Sequence, residues 1–314
     1  MKLALFASSS QPFLRFIKMN TTRFFFIVSV LGCGLNFSQN QGYAAPATLQ
    51  YRESGLTPNQ GTWSVGLFNP LKIQFAQKWG VETHPLITLL SAPHFTINHE
   101  WHKTSTWTLS GLYGLSTPSL SLSPAMPLGL MGFMGPSCLV KEAEPNRAPD
   151  SCQQGGFGLV MTLGMRLSGV VQKGVWTFEI SGAYGAMLSG ERPATLNTYV
   201  PLEMLYAPLT DQYRIKIGGR WAQKLGKSWS WASELDLYLT GVSYPHMEVS
   251  PLTLKIYTGF DYQWTQSFFT TLGIAYWNSD TREAIFEKGP DGFNTKTFVR
   301  SHQFWPTFDL FWVY

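Results

Sequence analysis

From Thr62 onward the chain falls into stretches of about ten residues or more in which apolar and polar side chains alternate with a period of two. Leu254 to Trp264 is the clearest. Leu254, Ile256, Thr258, Phe260, Tyr262 and Trp264 share one face, and Lys255, Tyr257, Gly259, Asp261 and Gln263 share the other. Comparable runs occupy 62–75, 79–89, 94–102, 106–115, 157–171, 175–188, 212–224, 228–241, 268–278 and 303–314. A strand of that length with one apolar face suits a bilayer outside and a polar interior within, and only a closed ring leaves no backbone edge in lipid. The pattern therefore predicts an all-β fold, an antiparallel transmembrane β-barrel.

Composition agrees. Charged residues are 13% of the chain and aromatics 15%, yet the mean hydropathy is near zero, so apolar and polar residues are mixed rather than segregated. A membrane-crossing helix needs about 20 apolar residues; the longest candidate, Phe24 to Leu35, spans twelve.

Connections between the runs alternate in length. Short ones fall at Ala76 to Lys78, Lys103 to Ser105, Gln172 to Gly174, Leu225 to Lys227 and Thr265 to Ser267. Long ones occupy 116–156, 189–211 and 279–302, which predicts short periplasmic turns and longer extracellular loops. Eight tryptophans (Trp79, Trp101, Trp107, Trp176, Trp221, Trp229, Trp264 and Trp312) then lie on the periplasmic rim, where amphipathic rings meet the water boundary. Eleven strands are visible and an even number is required, so Thr48 to Pro58 is the candidate twelfth; ten or fourteen strands also fit. Asn69-Pro70 interrupts the first run and marks a bulge or an edge near the closing seam.

The first 44 residues have a basic start, a short apolar stretch and small residues at Ala44, Ala45 and Ala47, the grammar of a secretory signal cut after Ala44 or Ala47. Of 23 basic residues, Lys2, Arg15, Lys18 and Arg23 precede Ala44 and no acid does, so the mature chain, 45–314, carries 19 of each sign. The precursor's basic balance thus belongs to the signal and supports no nucleic-acid partner. Val30-Leu31-Gly32-Cys33 offers a rival route, lipidation at Cys33. Cys138 and Cys152 remain in an exported polar loop and predict a disulfide, which in the chain-entropy model stabilises by roughly 3 kcal/mol.

The closing run, with Phe308, Leu310, Trp312 and Tyr314 on one face and an aromatic last residue, resembles the terminal signal of Gram-negative outer-membrane β-barrels. The resemblance covers the mature chain as architecture. It implies a cell outer-membrane location, outer-membrane lipid as surroundings, and insertion by the barrel-assembly machinery that reads this last strand.

Parity places Arg166, Glu179, Arg214, Lys216, Arg220, Glu234, Asp236, Lys255 and Asp261 inside. Folding the hairpin about Gly226 sets Lys216 opposite Asp236 and Gly218 opposite Glu234. Such charges either brace a narrow barrel, border a path for small hydrophilic solutes, or form a binding site. Thr117 to Pro136 is proline-rich yet apolar, and either folds on the rim or dips into the lumen. His94, Glu100 and His102 are expected to point inward and His99 outward, which forms no compact triad. A lipid-modifying enzyme would need an outward serine with an outward histidine, and the sequence alone pairs none with His99. No phosphate loop, zinc signature or calcium loop is present, so neither cofactor nor metal is implied. The expected role is a narrow, porin-like channel, with a lipid-modifying enzyme or a plugged structural barrel as alternatives.

Overall fold

The computed structural model describes Leu56 and residues 60–85, 88, 93–117, 157–171, 174–189, 200–241, 252–288 and 294–314. The signal segment, the Cys138 and Cys152 pair, and the 117–136 stretch beyond Thr117 lie outside the described residues. Twelve strands form one closed antiparallel barrel in sequence order, with the last returning to the first. They are β1 (Trp63–Gly66), β2 (Leu71–Ala76), β3 (Trp79–Thr83), β4 (His94–Lys103), β5 (Trp107–Ser116) and β6 (Phe157–Val171), then β7 (Gly174–Ser189), β8 (Tyr213–Lys224), β9 (Trp229–Thr240), β10 (Leu252–Gln263), β11 (Phe268–Lys288) and β12 (Asn294–Val313). A helix, α1 (Val200–Thr210), stands between β7 and β8.

The alternation read from the sequence becomes two surfaces. Leu163, Met165, Phe178, Leu235, Leu272 and Phe304 project outward and exposed, the condition of a lipid-facing belt. Arg166, Ser168, Glu179, Asp236 and Thr271 are buried on the inner face. Periplasmic turns are short, as at Leu225–Ser228 and Trp264–Ser267, and the eight tryptophans named above lie at that end, whereas Trp277 and Trp305 do not.

The strand count agrees with expectation, but the twelfth strand is not Thr48 to Pro58. Leu56, the described residue of that stretch, is not in a strand and packs inside the barrel against Val175, Ala222 and Ala232. Instead the run 62–75 splits at Asn69-Pro70 into β1 and β2, which pair Trp63 with Ile73 and Ser64 with Lys72. Two further corrections concern the loops. Most of 279–302 is strand, because β11 and β12 continue as one hairpin to Lys288 and Asn294. The 189–211 connection contains α1.

Splitting one run into two strands creates a difficulty. A strand needs about ten residues to cross, and β1 has four, so the turn Leu67–Pro70 falls within the depth of the wall. Backbone there has no water to bond, and each orphaned group costs several kcal/mol. Every N–H of the turn is taken up. Leu67 donates to the Leu310 carbonyl at 3.0 Å, Phe68 and Asn69 donate to the two oxygens of Asp309 at 2.9 and 3.0 Å, and Pro70 has no N–H to place. The Asn69 side chain also donates to Asp309, and the Phe68 carbonyl lies 2.6 Å from His84 Nε2. Below the turn, β1 and β12 close the ring through Ser64 with Val313 and Gly66 with Phe311, and Trp63 stacks on Tyr314.

Replacing Asp309 by Ala leaves two backbone N–H groups inside the wall without acceptors. The expected loss is about 2–4 kcal/mol, read as a lower urea midpoint by heat-modifiable gel migration; an unchanged midpoint overturns this account of the seam.

Candidate functional site in the lumen

Arg166, Glu179, Gly218, Asp236 and Lys255 occupy one rung across β6 to β10, because each pairs directly with the next in the ladder. Antiparallel pairing at even spacing puts all five on the inner face. Gly218 is the gap in the rung, and the side chains of Asp236 and Lys216 use the space. A Cβ there would lie 2.1 Å from Asp236 Oδ1 and 3.2 Å from Lys216 Cε. The empty position lets Lys216, one rung above, lean across to Asp236 at 3.4 Å.

The register of this hairpin differs from the sequence reading. Gly218 faces Asp236, Arg220 faces Glu234 and Lys216 faces Tyr238. The turn runs Leu225–Ser228 with Leu225 N–H on the Trp229 carbonyl, so the fold centres one residue later than Gly226 and the pairing moves by two. A shift of two preserves parity, so the same side chains still face inward.

The ion pairs form a continuous chain around and across the lumen. Lys72 reaches Glu82 at 3.5 Å, Glu82 accepts from Arg166 Nη1 at 3.3 Å, and Arg166 Nε donates to Glu179 at 2.7 Å. Lys216 joins Glu179 at 3.6 Å and Asp236 at 3.4 Å. Lys255 joins Glu234 at 2.7 Å and Asp236 at 3.5 Å. Ser181 and Asn98 donate to Glu179 and Glu82 at 3.1 and 2.7 Å, and Tyr238 donates to Asp236 at 3.1 Å. The chain alternates in sign, four cations with four anions, so a cost that is prohibitive for one buried charge is shared by the set. Glu82 and Lys72 were not singled out in the sequence; the inner-face parity of β2 and β3 was the available signal. Asp261 stands outside this chain, accepting from Thr271 at 2.5 Å and Ser230 at 3.5 Å.

Above the charges lies α1. Its sequence is mostly apolar, and its side chains Val200, Met204, Ala207, Leu209 and Thr210 are buried. Val200, Met204 and Ala207 pack on Tyr238, Ala275 and Trp277, and Leu209 packs on Val160 and Ala183. All five partners lie on the inner barrel face, so the helix sits inside the barrel, along β6 to β9 and against inward side chains of β11. Gly185 makes room for it, because a Cβ there would lie 2.1 Å from the Pro208 carbonyl oxygen. Pro208 has no N–H for the carbonyl four residues back, that of Met204. Arg214 supplies the missing donor through Nη1, and Gln303 accepts from the Val200 N–H at 3.4 Å. Arg214 is thus a helix anchor, with its guanidinium also over the Tyr238 ring at 5.9 Å.

The histidines of β4 separate. His99 stacks outward on Trp79 at 3.9 Å. Glu100 is inward and buried. His102 is not inward as parity predicts, because a bulge between Glu100 and His102 sets it opposite Leu109, on the outer side beside Trp107.

A closed antiparallel ring with an apolar exterior, a charged interior and short turns at one end is now in view. This is the architecture of an outer-membrane β-barrel. No family model matches the chain, and no curated protein matches it. Among solved structures it is similar to the outer-membrane OmpT of Vibrio cholerae, with TM-score 0.41, 8% identity, 78% of this chain and 64% of that one covered, so it spans less than two thirds of that protein. A bacterial polysaccharide outer-membrane secretin matches with TM-score 0.40 and 10% identity over 82% and 77%. The Pseudomonas putida toluene transporter TodX matches with TM-score 0.32 and 10% identity over 86% and 92%.

Glu179 bonds Arg166 and Lys216 together, so Glu179→Gln leaves two cations short of an anion. The expected loss is about 3–5 kcal/mol, measured as urea stability by tryptophan fluorescence; a loss below about 1 kcal/mol would mean water already screens the chain.

Proposed function

We propose that the barrel is a path for small hydrophilic solutes that is closed at rest, with α1 as its gate. The observation that carries this reading is the lining: eight charges in alternating order beneath one apolar helix. A purely structural barrel is filled at least as stably by well-packed apolar side chains, since buried ion pairs barely recover their desolvation cost. Opposed basic and acidic groups along a wall are useful where a polar solute exchanges its hydration for them. The helix is attached by polar ties, Arg214 to Met204 and Gln303 to Val200, and by the packing of a few apolar side chains. Displacing it uncovers the charged belt without breaking a strand pair.

The second reading, a lipid-modifying enzyme, asks for an outward serine on an outward histidine. His99 is stacked on Trp79, His102 lies against Trp107 and His302 is bonded by Tyr276, and none of the three has a serine side-chain partner among the described residues. A plugged structural barrel is the third reading, and the same experiment separates it from the first.

In planar bilayers the refolded mature chain is expected to be silent, and the same chain lacking 200–210 to give steady conductance steps. Arg214→Ala is expected to give intermittent openings, and Lys216→Ala or Asp236→Ala in the shortened barrel to change ion selectivity. A folded, shortened barrel that stays silent sinks the channel reading and leaves the structural one.

A further inference from the structure

Below the charged rung the inner wall turns apolar. Four residues nearer the periplasm on each strand, Val170, Val175, Ala222, Ala232 and Gly259 of β6 to β10 pair in one continuous rung. The rung between it and the charges holds Ser168, Thr177, Arg220 and Glu234, and the rung below it holds Lys224, Ser230 and Asp261. An apolar patch thus stands between two polar rows. Tyr257 bounds it on one side, because its ring lies where a Cβ on Gly259 or Gly273 would fall.

Ala232 is fully buried, and Val175 and Ala222 are 2% and 3% exposed. Short wall side chains cannot do that for one another. An eight-strand barrel is just filled by its own inner side chains and a ring of twelve is wider, so a group from elsewhere must cover the patch. Leu56 is such a group, since it packs on this cluster together with Val170 and Tyr257. It reaches the patch from the far side of the mouth. Gln60, four residues later, is held at β2, with its Nε2 on the Phe75 carbonyl at 3.4 Å and the Gly61 N–H on the Gln74 carbonyl at 2.8 Å. In the ring of twelve, β8 stands six strands from β2 in either direction.

We propose that Leu56 is an apolar latch seated in the socket of Val175, Ala222 and Ala232, which holds the stretch before β1 across the periplasmic mouth and narrows the lumen beneath the charged chain. The chemistry of the seat selects its occupant: methyl groups accept an apolar side chain and strip a polar one of its water without replacing it. Leu56 belongs to no strand, so its release breaks no rung of the ladder.

The test is thiol labelling of the refolded mature chain, 45–314, carrying Cys138→Ser, Cys152→Ser and Ala222→Cys, with a fluorescent maleimide. With Leu56 in place the thiol at position 222 is expected to react slowly, and Leu56→Asp to raise the rate about tenfold. Leu56→Met keeps volume and apolarity and is expected to retain the slow rate. Lys227→Cys, in an exposed turn, is the control and is expected to label equally fast whatever stands at position 56. Heat-modifiable gel migration checks folding, and Leu56→Ser keeps the test open if Leu56→Asp does not fold. Slow labelling in Leu56→Asp means that another group covers the socket and overturns the latch, as does fast labelling in the native chain or in Leu56→Met. No current is read, so failure here leaves the channel reading untouched, and silent bilayers leave the latch untouched.

Discussion

Everything in this barrel depends on one constraint, that no backbone polar group is left unbonded where there is no water. Ten strands can meet it by length or by pairing with long neighbours. At the seam it cannot be met that way, because β1 has four residues and β12 has twenty. The chain solves the mismatch with side chains: one carboxylate, Asp309, takes two turn N–H groups, and one imidazole, His84, meets a turn carbonyl. Closure of the ring thus rests on two polar side chains, added to the ladder that the backbone of β12 makes with β1 and β11.

The interior answers a different demand. A ring of twelve strands encloses more space than the side chains of its own inner face fill, and this chain fills it in two ways. Near the middle it uses long charged side chains, whose mutual attraction offsets their removal from water only because the chain of pairs is complete. Above them it inserts a helix whose apolar surface needs no partner of opposite sign. Arg214 connects the two. Its charge belongs to the basic face of β8, while its hydrogen bond repairs the defect that Pro208 leaves in the helix.

Period two was legible in the sequence because each strand separates lipid from lumen, and a register error of two leaves that separation intact. Hence Lys216, Asp236 and Glu234 were placed inside although their partners were misassigned. What parity cannot see is an irregularity. The bulge after Glu100 turned His102 outward, and Asn69-Pro70, readable as a bulge or an edge, proved to be a reversal at the seam. Nor could α1 be seen: in an apolar connection with two prolines, Val200–Thr210 looks like a loop until inner-face residues such as Trp277 and Tyr238 are known to need covering. Glu82 was overlooked because pairing it with Arg166 requires three-dimensional proximity over a separation of 84 residues.

Strand β12 carries all three features at once, by alternation. Its lower end closes the ring, Gln303 faces inward to α1, and His302, one residue earlier, faces outward to lipid. Adjacent residues on opposite faces can influence each other only through the backbone between them. That backbone is fixed: Asn278, Trp277 and Tyr276 of β11 pair in unbroken register with His302, Gln303 and Phe304. Gln303, which accepts from the N-terminus of α1, and His302, which Tyr276 holds on the outer wall, are thus separated by a single peptide unit of an unbroken ladder.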